Sequence, residues 1–359
     1  MRAGYGEKLR KFFAVNTNPK ILIDFAGQKI FESATVDVNI LLFEKAQNMS
    51  KTASCIIREK CSSNLSVYVQ QNSNMTCFTS SDSWTILSSI EAAIKQKIEA
   101  AGIRLKDWNV RINRGILTGC NEAFIISGDK RNELISQNPK SAEIIRPILR
   151  GRDIKRYGYT FSDLWVITSH NGIRGRNIPR IHIDEYPAIK AHLDEFYSKL
   201  CKRADKGDTP YNLRNCAYMD DLSMQKIVWG EISDKPKFAI DVDGEYYPEA
   251  TTFLMTGEHL KYLLCFLNST LSEYFFAKYG TTTGMGTLRW KKYLIELLPI
   301  PEPTPDKEAI ITHLLDKLLQ SNGNDHCLIE QINQEIYKLF GLTSEEVNFI
   351  EEMVDKGAH

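Results

Sequence analysis

Six basic side chains, Arg150, Arg152, Lys155, Arg156, Arg174 and Arg176, fall between positions 150 and 176, interleaved with Tyr157 and Tyr159. Further along stand Arg180, Lys202, Arg203, Lys206, Tyr211 and Arg214. Guanidinium and ammonium groups at this density suit the neutralisation of nucleic-acid phosphates, with Arg, Asn or Gln left to read base edges. The six are therefore candidate DNA contacts, and the bland alternative is a solvated basic face. Residues 104–180 hold fifteen Lys/Arg against seven Asp/Glu, a surplus of eight positive charges. Residues 301–359 hold four against twelve, a deficit of eight, so the zero formal net charge of the 359-residue chain hides an asymmetry. A basic middle and an acidic end fit one face for a polyanion and one end kept off it.

Catalytic residue sets are missing. The chain has no G-x-x-x-x-G-K-S/T phosphate loop, no H-E-x-x-H, no G-x-S-x-G and no C-x-x-C. Gly280-Thr-Thr-Thr-Gly-Met-Gly286 is rich in glycine but follows a helical pattern, so it reads as a hinge or an adaptable loop and not as a phosphate cradle. His170 stands alone after a strand and reads as a satisfied loop histidine. Asp220-Asp221 and Asp241-Val-Asp243-Gly-Glu245 are acidic pairs, but the second has the form of a turn, and no metal site is expected. Eight scattered cysteines point to reduced thiols and a cytoplasmic setting. No stretch approaches the ~20 apolar residues of a membrane span, and the start lacks the apolar core of a signal peptide.

These residues need elements to hold them. Leu9, Phe12 and Phe13 fall at helical spacing. Residues 21–25 and 36–43 read as strands, so the first 45 residues run helix, strand, strand. Three such elements cannot bury both faces of a sheet alone. A strand is expected at 65–69. A helix with a Ser or Asp cap follows, carrying Ile86, Leu87, Ile90, Ala93, Ile94 and Ile98 on one stripe. Short strands are expected at 110–112, 123–126, 164–168, 225–229, 238–241 and 250–255, with a hairpin at 115–126. One helix is expected at 186–202 and one long helix at 258–279. Pro299, Pro301 and Pro303 stiffen a segment that ends in three amphipathic helices, at 309–319, 327–340 and 344–353, the last capped by Thr343-Ser-Glu-Glu. A domain boundary is expected near 301.

Gly115-Ile-Leu-Thr-Gly-Cys-Asn-Glu-Ala-Phe-Ile-Ile126 resembles the motif that opens the target-recognition domain of TaqI-like adenine-specific DNA methyltransferases and of the fused type IIG restriction-modification enzymes. Ile144-Ile-Arg-Pro-Ile-Leu-Arg-Gly-Arg-Asp-Ile-Lys-Arg-Tyr157 is similar to the signature that follows it in that family. Residues 253–276 look like the family's strand and long L-x-x-L-L-N-S helix. Leu298-Pro-Ile-Pro301 is similar to its closing L-P-I-P segment, which also recurs in type I specificity subunits. The first 45 residues resemble the last helix and strands of the methyltransferase fold. Family members hold S-adenosylmethionine in a Gly-rich loop and grip a flipped adenine with N-P-P-Y/F. Neither motif is in this sequence, so a flipped base has no stacking aromatic or amide acceptor of that kind.

The resemblance implies a mixed α/β (α+β) chain in four parts. Residues 1–50 would be the C-terminal remnant of a Rossmann-like methyltransferase domain, and 51–104 a connector with a helix. Residues 105–300 would be a DNA target-recognition domain, and 301–359 an acidic helical segment. It implies double-stranded DNA as partner, a methyltransferase domain or subunit as a second partner, and no membrane. No cofactor is expected on this chain; S-adenosylmethionine belongs to the complete parent enzyme, and the chain alone is not expected to methylate DNA. The glycines of 115–126 and Asn121-Glu122 read as structural, and the arginines after Pro147 as the groups that touch DNA. The alternative is a non-catalytic, specificity-subunit-like scaffold that binds DNA only with a separate catalytic subunit. A standalone nuclease and a carbohydrate-binding module are the rivals from other classes, and the basic window argues against the second.

Overall fold

The computed structural model describes residues 6–26, 28, 30–33, 36, 38–57, 64–82, 84–173, 178–279 and 288–355. The glycine-rich loop at 280–286 lies outside these residues, as do Arg174 and Arg176. The chain divides into two compact units, Met1–Gln96 and Lys97–His359.

The first unit runs α1 (Glu7–Asn16), β1 (Asn18–Asp24), β2 (Asn39–Glu44), β3 (Thr52–Ile56), α2 (Leu65–Asn72) and β4 (Asn74–Thr76), and α3 (Ser89–Ala101) begins within it. The sheet order is β2-β1-β3-β4, with β1 antiparallel to β2 and parallel to β3. β1 is covered on both faces, which is why Ile21-Leu-Ile reads as a continuous apolar run. Leu22 packs with Ala14, Phe78, Trp84 and Ile86, while Ile23 packs with Cys55 and Ile57. The strand expected at 65–69 is a helix. The Asn64 side chain caps it by accepting the Val67 amide (3.4 Å), and Leu65, Tyr68 and Val69 then fall on one side against the Ile23 cluster. Packing at i, i+3 and i+4 overrides the strand preference of Val and Tyr.

The second unit continues with β5 (Ile103–Arg104), β6 (Val110–Arg114), α4 (Asn121–Phe124), β7 (Ile125–Ser127), α5 (Gly128–Gln137), β8 (Ile145–Leu149), β9 (Ile154–Lys155), β10 (Gly158–Tyr159) and β11 (Leu164–Ile167). Next come α6 (Pro187–Asp194), α7 (Tyr197–Lys202), β12 (Lys226–Gly230), β13 (Ile232–Ser233), β14 (Phe238–Asp241), β15 (Tyr247–Pro248) and β16 (Thr252–Gly257). The last elements are α8 (Leu260–Leu267), α9 (Thr270–Tyr279), β17 (Leu288–Arg289), α10 (Lys292–Ile295), β18 (Pro299–Ile300), α11 (Pro305–Gln320), α12 (His326–Leu339) and α13 (Ser344–Asp355).

Two four-stranded sheets organise this unit, β15-β8-β11-β7 and the antiparallel β14-β12-β16-β6. Phe124, Ile145, Ile167, Ile189, Leu193 and Leu200 form the core between the first sheet and its helices. Leu149 and Ile154 join Leu222, Val228, Ala239 and Leu254 in a second core that ties the sheets together. The segment after 301 belongs to the same compact unit. β18 pairs with β5, the Tyr262 hydroxyl donates to the Pro301 carbonyl (2.9 Å), and Lys261 pairs with Asp316 (2.6 Å). Thr343 and Glu346 cap α13 reciprocally, as Thr343-Ser-Glu-Glu leads one to expect.

Three further expected elements differ, all in the second unit. The stretch 115–126 is not a hairpin: Gly115 and Ile116 donate to the Thr252 and Pro248 carbonyls, and a helical turn at 121–124 precedes β7. The helix expected over 186–202 is two, α6 and α7. The long helix expected over 258–279 also breaks in two, at Asn268-Ser269. There the Asn268 side chain donates to the Phe238 carbonyl (2.9 Å) and accepts the Phe238 amide (3.1 Å), so it stands in as a neighbour for β14.

Inside the second sheet Lys226 and Asp241 form a fully buried ion pair (2.6 Å). Asp241 also accepts the amides of Glu245 (3.2 Å) and Tyr246 (2.9 Å), so this acidic cluster is a turn lock. Asp241→Ala leaves an unpaired buried cation and two orphaned amides. It should cost about 3–5 kcal/mol in urea unfolding, whereas replacing both partners by apolar residues should cost far less.

Candidate nucleic-acid interface

The basic run separates into structural and free groups. Arg150 forms a two-pronged pair with buried Asp153 (both bonds 2.9 Å), and Asp153 also accepts the Arg150 amide and the Ser162 hydroxyl. This closes the turn at 151–153 and holds the Asp153 carboxyl below its usual range despite burial. Arg156 donates from Nε (3.0 Å) and Nη2 (2.6 Å) to the Asn268 carbonyl at the C-terminus of α8. A cation there meets unsatisfied carbonyls and the negative end of the helix dipole. Tyr157 is buried, sits at φ +64°, and donates its amide to the Phe238 carbonyl (2.9 Å). Arg150 and Arg156, expected as DNA contacts, are both half-buried and bonded within the chain. Arg152 and Lys155 are exposed, with no side-chain hydrogen bond or ion pair among the described residues. The period-two geometry of β9 explains the split at one step: Ile154 turns to the core and Lys155 to solvent.

The glycine-punctuated motif is a docking strap. A Cβ at Gly115 would collide with the Glu249 backbone, and Gly119 adopts φ +67°. Asn121 donates to Glu249 (3.0 Å) and its amide oxygen accepts the Thr118 hydroxyl (2.5 Å). Arg203, basic by sequence, is buried. It donates to the carbonyls of Thr118, Asp205, Pro210 and Asn212, and its guanidinium lies 4.6 Å from the centre of the Phe124 ring. Burial pulls its pKa down.

Two loops, after β11 and after α7, are knitted together. Leu213 donates to the Ser169 carbonyl (2.8 Å) and the Ser169 hydroxyl to the Tyr211 carbonyl (2.6 Å). Asn212 donates to the Ile181 carbonyl (2.9 Å), and Asn171 bridges Asp208 (3.2 Å) and Asn215 (2.6 Å). On this platform Arg214 pairs with Asp205 (3.3 Å) and Arg180 with Asp208 (3.9 Å), all four side chains being more than a third exposed. Pairs so wetted contribute roughly 0–1 kcal/mol, so a phosphate can displace the carboxylate. Beside the loops opens a small cleft of about 60 Å³ bounded by Gly115, Leu117, His170, Asn215, Tyr218 and Tyr247. His170 Nδ1 accepts the Gly172 amide (3.1 Å), and burial holds the imidazole below its usual range. The other acidic pair of the sequence is also accounted for at Asp221, which is buried and takes Arg111 (2.6 Å) and Asn113 (2.8 Å).

Residues 146–300 match the family model of the TaqI-like C-terminal specificity domain. Over 98% of its length the chain is 19% identical to the type II methyltransferase M.BstVI of Geobacillus stearothermophilus, and over 73% it is 22% identical to the type II methyltransferase M.PaeR7I of Pseudomonas aeruginosa. The chain spans 64% and 44% of the lengths of these relatives. Its fold is similar to that of the type IIL restriction-modification enzyme MmeI solved in complex with DNA, with a TM-score of 0.55, 11% identity, and coverage of 96% of this chain and 46% of that one. The glycine-bearing strand-to-helix turns at Gly128 and Gly257 are filled, the first by the Asp163 carboxylate and the second by the Asn109 carbonyl.

Arg156→Ala should lower stability by about 1–2 kcal/mol through removal of a charge-assisted cap, read from the urea midpoint, and should leave the salt slope of DNA binding unchanged. His170 is disfavoured as a cation in the fold, so the unfolded chain binds the extra proton. Its contribution is complete above the unfolded value near ~6.5 and is lost as pH falls below it. The urea midpoint should therefore drop between about pH 7.5 and about pH 5 by less in His170→Gln than in the parent chain.

Proposed function

We propose that the second unit, through the specificity-domain match at 146–300, selects a sequence on double-stranded DNA for a restriction-modification methyltransferase. In this reading methyl transfer, with its S-adenosylmethionine, is the work of a methyltransferase domain or subunit outside the described residues, and the setting is the cytoplasm. The observation that carries the reading is that the matched segment contains both knitted loops. Loops on a rigid frame, carrying displaceable basic groups, are the usual place for base and phosphate contacts. The names of the two relatives agree with it. Among the described residues no helix is long and apolar enough to cross a membrane.

Arg152 and Lys155 act as phosphate ligands, and Arg180 and Arg214 as groups that exchange an internal carboxylate for DNA. Arg152→Ala with Lys155→Ala should leave thermal unfolding unchanged. It should weaken duplex binding and shallow the log–log salt slope by about 0.9 for each phosphate that is no longer neutralised. Fluorescence anisotropy with a labelled duplex between about 50 and 200 mM salt reads this directly. Undiminished affinity and slope would take both residues out of the interface.

A further inference from the structure

We propose that the cleft beside the knitted loops of the second unit is a nucleobase site. The ligand is a flat, neutral heteroaromatic ring rich in acceptors, either a base turned out of DNA or the base of a free nucleoside. The first source rests on the DNA-recognition reading above, and the second does not.

The cleft is small, about 60 Å³, and open to solvent on one side, so a flat ring would seat in it with part of its edge outside. Its apolar walls include Leu117, Met219 and Leu222, with the rings of Tyr218 and Tyr247 alongside. Apolar surface with aromatic rings suits the face of a base, which stacks regardless of its identity. The polar groups are donors. His170 accepts the Gly172 amide on Nδ1, so in the neutral ring the hydrogen sits on Nε2, which has no partner among the described residues. Asn215 uses its amide oxygen on Asn171, which leaves the Nδ2 hydrogens unpaired among the described residues. Two unpaired donors match ring nitrogens and carbonyls, such as purine N7 and O6 or pyrimidine O2 and N3. Among the described residues no carboxylate lines the cleft, so a cation finds no counter-charge, and Arg214 at its edge is engaged with Asp205.

The test uses the full chain with adenosine, guanosine, cytidine and uridine as probes in saturation-transfer NMR, and with duplexes bearing 2-aminopurine in fluorescence. At least one nucleoside should show saturation transfer. Asn215→Ala should weaken it about fivefold, the weight of one hydrogen bond, and Leu117→Trp, which fills the cleft, should abolish it. Should Leu117→Trp fail to fold by circular dichroism, Asn215→Ala, at an exposed position, carries the test. A rise in 2-aminopurine fluorescence that disappears in the variants assigns the base to DNA. Nucleoside binding without such a rise assigns it to a free nucleoside. No saturation transfer and no rise overturns the proposal, as does binding undiminished in both variants. Duplex anisotropy on the same samples tests the DNA-recognition reading separately, so the two can fail independently.

Discussion

A single buried amide, that of Asn268, holds together three parts of the second unit. Its side chain pairs with both backbone groups of Phe238, and its carbonyl takes the Arg156 guanidinium. Tyr157 adds its own amide to the same Phe238 carbonyl. Buried backbone groups without partners are costly, so β14 cannot lie along α8 unless something like this amide replaces the missing strand. Satisfying it ends α8 at that point, and Ser269 then accepts the Ser272 amide to start α9. The break in the long apolar helix and the place of the basic turn are two consequences of one hydrogen-bonded residue.

That constraint reassigns much of the positive charge. The signature that ends in Ile-Lys-Arg-Tyr157 carries arginines whose main task is internal: Arg150 closes a turn on Asp153, and Arg156 caps a helix. A buried or half-buried guanidinium with matched acceptors gives up little of that bonding to a phosphate in water. The charges left for a polyanion are those on period-two partners or loop tips, such as Lys155, and those in loose exposed pairs, such as Arg214. Net charge in a window thus overstates the binding surface, because it counts ions already neutralised within the fold.

The knitted loops show how variable reading and fixed geometry coexist. Asn212 and Arg203 bond to backbone carbonyls, and Asn171 to the side chains of Asp208 and Asn215 and the Asp208 amide, so the loop path is set by few residues. Neighbouring side chains in loose exposed pairs, Arg180 and Arg214 among them, are then free to differ without moving the platform. The cleft lies where this platform meets the strap at Gly115–Leu117, a junction made of backbone bonds to Pro248 and Thr252.

From residue order alone come the mixed strand-and-helix character, the strands at 21–25 and 225–229, the cap at Thr343, the basic middle against an acidic end, and the resemblance of 115–126 and 144–157 to a known recognition domain. These are local: periodicity, capping and composition act over a few residues and survive any fold that uses them. What the tertiary structure decided is long-range. Leu65–Val69 became a helix because a sheet face lay beneath it, and 115–126 became a strap because Pro248 and Thr252 took the bonds a hairpin would have made. Arg150 and Arg156 are bonded within the chain because Asp153 and Asn268 stand within reach. The donors of His170 and Asn215 meet in one cleft only because residues 45 positions apart fold side by side. Sequence shows which groups are charged or polar; the fold decides which of them already have a partner.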